Sequence, residues 1–91
     1  RRLRDLLSSS ETYIREKACE VTFWITGVNK EQSRAVIEAG IVPVLIQLLA
    51  EREYYIQWWA TSAISDVSEV GEPEEVRGWI PLLLSLLEND G

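Results

Sequence analysis

Residues 29–49 read NKEQSRAVIEAGIVPVLIQLL, and this stretch decides the fold. Asn29 and Gln32 have the spacing of a helix cap and its third-position partner, and Gly40 is free to take the left-handed stop. The spacing predicts a helix from about Asn29 to Ala39. Pro43 suits the first turn of the next helix, where its missing N–H would have no partner anyway, and Leu45, Ile46, Leu48 and Leu49 give that helix an inward face. Neither helix is long enough to bury its apolar side alone, so the pair needs neighbours.

Working outward, the chain repeats itself. Sliding it by forty-two residues sets Leu6-Leu7 on Leu48-Leu49, Tyr13-Ile14 on Tyr55-Ile56, Ala18 on Ala60, Val21 on Ala63 and Ile25 on Val67. A further Leu86-Leu87 pair and the step from Pro43 to Pro81 are both offset by thirty-eight, so the last copy is four residues shorter. A third helix is expected from about Glu53 to Val70. Its earlier counterpart starts after Ser8-Ser9-Ser10, where Ser8 and Glu11 have capping-box spacing, and ends at Gly27. At 100° per residue Ile14, Ala18, Val21 and Ile25 fall within a ~60° arc, and Ile56, Ala60, Ala63 and Val67 repeat it, which makes these the expected core stripes. Short helices recurring at a period near forty predict an all-α solenoid of about two units, truncated at both ends. It divides as a partial repeat over 1–28, a full repeat over 29–70 and a shortened terminal repeat over 71–91.

The 29–49 stretch resembles an armadillo repeat, specifically those of importin α and of consensus armadillo proteins derived from it; IREKAC (14–19) and IQWWATSAIS (56–65) occupy the place of the family's third helix. The resemblance implies an armadillo-type right-handed superhelix whose third helices line a concave groove, and a cytoplasmic or nuclear location. In importin α that groove binds extended basic nuclear-localisation peptides. There a third-helix Trp stacks on the peptide and an Asn four residues later bonds its backbone. Aligned through Ala18, this chain has Glu20 and Trp24 at those two positions; aligned through Ala60, it has Ser62 and Asp66. The acidic residue often found three before the Trp is replaced by Lys17 and by Trp59. The family's peptide ladder is therefore absent.

Aromatic residues crowd the same side. With the core stripe at 0°, Glu16, Glu20 and Phe23 lie opposite it with Trp24 on the flank. In the next copy Trp58, Ser62 and Ser65 take that side, flanked by Tyr55, Trp59 and Asp66. Glu16, Glu20, Phe23, Trp24, Tyr55, Trp58, Trp59, Ser62 and Asp66 thus form the expected protein-binding surface, since large rings outside a core stripe are typical of interface centres. A plainer role for Trp24 and Trp59 is packing between adjacent third helices, whereas Trp58 points farthest from the stripe. Trp79, just before a helix start at Ile80-Pro81, reads as a staple.

Composition narrows the function. Nine basic against fifteen acidic residues leave a charge of −6, which disfavours nucleic acid and anionic membranes and suits a basic partner. No histidine excludes imidazole chemistry, and a single cysteine excludes an internal disulfide. Cys19 reads as a small, half-buried apolar group. The carboxylate pairs Glu16/Glu20 and Asp66/Glu69 have no nucleophile or phosphate loop beside them and read as a solvated acidic face, so no enzyme, metal or cofactor is expected. Glu72-Pro73-Glu74-Glu75 reads as a helix start. Arg1, Arg2 and Arg4 at one end complement Glu88 and Asp90 at the other, which permits end-to-end contact. The chain opens on Arg1 without a leader and reads as a processed or excised piece; a near-consensus repeat lacking His and Met suggests an engineered or heavily diverged scaffold. The expected function is a non-enzymatic interaction module that self-associates as a homodimer through its aromatic surface. Two alternatives stand beside it: an importin-like fragment binding basic peptides through Glu16, Glu20 and Asp66 with Trp24 or Trp58 stacking on arginine, and a repeat scaffold with no ligand.

Overall fold

Helix punctuation sets the architecture. The computed structural model describes residues 2–89 and holds six helices: α1 (Arg2–Leu7), α2 (Thr12–Thr26), α3 (Lys30–Glu38), α4 (Val42–Leu48), α5 (Tyr54–Ser68) and α6 (Pro73–Asn89), with no strand among the described residues. Arg1 and Asp90 of the expected end-to-end contact lie outside that range. The Asn29 side chain accepts from the Gln32 N–H at 2.9 Å and opens α3. Gly40 closes it with φ 74°; its N–H donates to Ile37 and that of Ile41 to Val36, the paired bonds of a Schellman stop, and both Val36 and Ile41 are buried. Pro43 sits in the first turn of α4. Ser8 does not cap α2. The Glu11 N–H instead donates to Ser9 Oγ at 3.1 Å, and Glu11 takes the cap position without a side-chain bond.

The two third helices, α2 and α5, form the largest interface in the molecule. On α5 the stripe Ile56, Ala60, Ala63 and Val67 is wholly buried, as the periodicity requires. On α2 the expected stripe is rotated. Ala18 is buried, but Val21 is 48% exposed and Ile14 and Ile25 are only half-buried, while Cys19, Thr22 and Thr26 fill the seam. These three take the places of Ala60, Ala63 and Val67, so burial repeats at an offset of forty-one rather than forty-two. One residue turns a helix by about 100°. The rotation wins because it lays Phe23, the larger side chain, against α5 in place of Val21. It leaves no buried hydroxyl unpaired either: Thr22 Oγ donates to the Ala18 carbonyl at 2.7 Å and Thr26 Oγ lies 3.0 Å from that of Phe23.

Two arginines clamp the seams between successive units. Arg15 reaches from α2 to the α4–α5 turn, with Nε and Nη2 donating to Glu51 at 2.7 and 2.8 Å and Nη1 to the Ser9 carbonyl at 2.8 Å. Arg34 of α3 makes the matching two-pronged pair with Glu75 in the first turn of α6, and Glu75 Oε1 also accepts the Glu72 N–H at 2.9 Å. These forked pairs fix geometry as well as charge.

At its far end the chain departs from the expected helix start at Ile80-Pro81. Pro81 lies inside α6, which runs unbroken through Gly78, the residue matching Gly40 at the thirty-eight-residue offset. Pro73 occupies the first turn, as the Glu72–Glu75 stretch predicts. No third helix packs closely on α6 among the described residues, so nothing folds its second half back as α5 does α4. Trp79 is no staple; it packs half-buried on the core, its ring 3.0 Å from where a Cβ on Gly71 would sit.

These two glycines should respond oppositely to alanine. Gly40→Ala places a side chain at positive φ and is expected to destabilise by about 1 kcal/mol; Gly78→Ala fills open space in a helix and is expected to stabilise by about 0.5–1 kcal/mol. Urea denaturation reads both, and effects of the same sign would contradict the assignment. A second test concerns the α3–α6 clamp. Hydrogen bonds from Arg34, then from the Glu72 N–H, hold the Glu75 carboxyl at about 2. Its pKa falls on folding, so the ionised form stabilises the fold above the unfolded value near 4.3, and that contribution is lost as pH drops toward 2. The stability gap between the wild type and Glu75→Gln should therefore be full at pH 7 and close between about pH 4.5 and 2; a gap independent of pH would count against it.

Candidate protein-interaction surface

Seam rotation decides which aromatic rings face out. Phe23, on the α5-facing flank of α2, sits with its ring centroid 5.3 Å from Trp59, 5.6 Å from Trp24 and 6.3 Å from Trp58. Trp58 and Trp59 meet edge-on at 4.7 Å and 78°, and Trp24 lies 6.5 Å from Trp59. The four rings form one cluster bridging α2 and α5. Phe23 and Trp59 are half-buried against the core and anchor it, whereas Trp24 at 60% and Trp58 at 48% remain exposed. Edge and tilted contacts of this kind contribute about 0.5–1.5 kcal/mol each beyond area burial. Tyr55 is exposed and stacks edge-on with Tyr54 at 5.3 Å.

The polar members of the expected surface are largely occupied. Glu20 accepts from Lys17 Nζ at 3.3 Å and from Trp24 Nε1 at 3.4 Å, which raises the Lys17 pKa and steadies the outer indole. Asp66 accepts the Thr26 hydroxyl at 2.9 Å across the α2–α5 seam, and the Thr26 carbonyl in turn receives Ser33 Oγ at 3.0 Å. Ser62 and Glu16 are half-buried at the edges. Phe23 does not lie opposite the α2 seam as expected; the rotation moves it toward the α5 flank, while Glu20 stays on the outer side with Trp24. The two columns of the aligned ladder are also not equivalent. By burial Glu20 and Trp24 match Thr61 and Ser65, while Ser62 and Asp66 match Val21 and Ile25.

Around α2 and α5 the sequence reading missed the exposure of Tyr13, Val21, Val28 and Tyr54. Tyr13 and Tyr54 stand at the forty-one-residue offset with 68% and 66% exposure, so the shifted register would have found them as a pair. Cys19 is fully rather than half buried, and burial pushes its thiol up to about 12, well outside the range of a reactive thiolate. No group of three metal-ligating side chains converges among the described residues, and no described helix is long and apolar enough to cross a membrane.

Residues 29–65 match the armadillo/beta-catenin-like repeat, covering α3, α4 and most of α5. The fold is armadillo-type. No curated protein matches the chain. Armadillo repeats are non-enzymatic scaffolds for protein interaction. Within the matched stretch α5 is the third of three helices.

The Thr26–Asp66 bond is the polar link most directly tied to this surface. Thr26→Val keeps the shape but strands the Asp66 carboxylate, and is expected to cost about 1.5–3 kcal/mol, with Thr26→Ser largely restoring it. Thermal denaturation distinguishes them; Val and Ser variants of equal stability would show the bond to be idle.

Proposed function

We propose that the chain is a protein-interaction module whose recognition surface is the aromatic cluster across α2 and α5, and that its partner is a second copy of itself. One observation carries this reading: Trp24 and Trp58 are exposed, yet fixed from beneath by Phe23 and Trp59. Exposed indoles on a rigid base combine large contact area with little side-chain entropy left to lose. Burying each in an interface contributes roughly 1.5–3 kcal/mol. A two-fold arrangement sets the same patch against itself, so two tryptophans from each copy meet in one apolar centre.

Support for a basic peptide in the importin manner is weaker. That mode needs carboxylates turned to the groove, and Glu20 and Asp66 are already taken by Lys17, Trp24 and Thr26.

Charge separates the two readings. A net −6 on each copy resists self-association, so added salt should strengthen a homodimer and weaken binding of a Lys/Arg-rich peptide. Sedimentation equilibrium from low to high micromolar concentration is expected to show dimers that tighten between about 50 and 500 mM salt, over which the Debye length shortens about threefold, and to show monomers for Trp58→Ala. A strictly monomeric wild type, or a dimer indifferent to both Trp24→Ala and Trp58→Ala, would sink the proposal.

A further inference from the structure

Residues 78–87, GWIPLLLSLL, repeat residues 40–49, GIVPVLIQLL, with the Gly, the Pro and the closing Leu-Leu at the same places. The two copies take different backbone conformations. In the first, Gly40 at φ 74° ends α3 and Pro43 opens α4. In the second, Gly78 and Pro81 both lie inside the unbroken α6, and Gly78 has no positive φ. Local chemistry favours the first arrangement. Pro81 has no N–H to give the Arg77 carbonyl and its ring crowds that oxygen, which disfavours a straight helix by about a hundredfold; glycine at 78 disfavours it further. A break at Gly78 relieves both, because Pro81 then stands in a first turn, where no N–H is needed.

Against the break stands a packing contact. The Trp79 ring lies over Gly71, 3.0 Å from where a Cβ on that residue would sit, with a Val76 methyl 3.2 Å from the same point. Val76 and Trp79 reach Gly71 together because they are three apart on one continuous helix. At the place of Trp79 the broken copy carries the smaller Ile41. The two halves of α6 are anchored separately: Arg34 pairs with Glu75 in the first turn, while Leu83 and Leu86 pack on the core. We propose that α6 is a two-state hinge: a straight helix, latched by Trp79 on Gly71, that opens at Gly78 into the helix–turn–helix seen at Gly40 and so re-aims its second half against its first. This device lies outside the aromatic cluster and does not depend on self-association.

Nitroxide labels on Glu74→Cys and Glu88→Cys, both exposed positions, report the hinge in the full chain carrying Cys19→Ala. Pulsed EPR reads the distance between them and backbone Cα shifts read the helix locally. The straight helix spans about 21 Å between these positions, and the opened hinge adds a shorter distance. Trp79→Ile, which restores the residue of the earlier copy, should raise the shorter population about tenfold, with helical shifts lost at 77–79 and kept at 82–87. Gly71→Ala, whose methyl displaces the ring, should act the same way, so the test stands if either variant fails to fold. Adding Gly78→Ala to either should cut the shorter population about tenfold, because alanine disfavours positive φ and favours the helix. Trp58→Ala should leave the distances unchanged, which separates this result from the aromatic surface. A single distance near 21 Å in both latch variants, a shorter population indifferent to Gly78→Ala, or helicity lost progressively from the far end of α6 would each overturn the proposal.

Discussion

The close packing of α2 on α5 is the constraint on which the rest of the structure depends. Each helix presents small or short-branched residues to the seam, Cys19, Thr22 and Thr26 on one side and Ala60, Ala63 and Val67 on the other. Small side chains let two helices approach, and close packing then fixes their rotation. Once rotation is fixed, the outward faces are fixed as well. Phe23 and Trp59 are trapped at the edge of the seam, and Trp24 and Trp58 are left at the surface above them. The candidate surface is thus a by-product of where the core has room.

Charge interactions position the units rather than bind them by bulk energy. The Arg15–Glu51 pair is partly shielded, with side-chain exposures of 18% and 25%, and each of its partners makes two forked bonds. Desolvation offsets much of such a pair's attraction, so its value lies in fixing distance and orientation. The Arg34–Glu75 clamp does the same for the start of α6, whose apolar support comes mainly from α4. Fewer packed partners imply a lower local opening free energy, so α6 is the element that hydrogen exchange should find loosest. The aromatic cluster, by contrast, stands on the most heavily packed pair of helices.

Local punctuation was the most legible feature of the chain. Asn29, Gly40 and Pro43 each act through backbone chemistry that needs no tertiary partner, and α3 and α4 fall where those residues place them. The α5 stripe was legible for a related reason: its apolar and small residues recur at one helical spacing with no rival face. On α2 two faces compete. Ile14, Val21 and Ile25 define one, and Cys19, Thr22 and Phe23 define another whose threonines look polar until their hydroxyls are seen bonded within the seam. Hydropathy periodicity cannot choose between them, because the choice rests on what α5 offers in return. Gly78 and Pro81 misled in the opposite way: the same punctuation that ends α3 is overridden in α6, where no third helix packs closely. The exposed ring of Trp58 was visible from spacing alone, whereas the exposure of Trp24, which spacing left open to packing between helices, and the occupied state of Glu20 and Asp66 needed coordinates.

The rotation of α2 can be measured residue by residue. In a Cys19→Ala background, Val21→Cys and Thr22→Cys put a single thiol on adjacent positions, one on the exposed face and one in the seam. Labelling of the folded protein by a small thiol reagent should proceed at Val21→Cys close to its unfolded rate and be strongly slowed at Thr22→Cys. Fast labelling at position 22 with protection at position 21 would restore the forty-two-residue register and remove the basis for the aromatic surface.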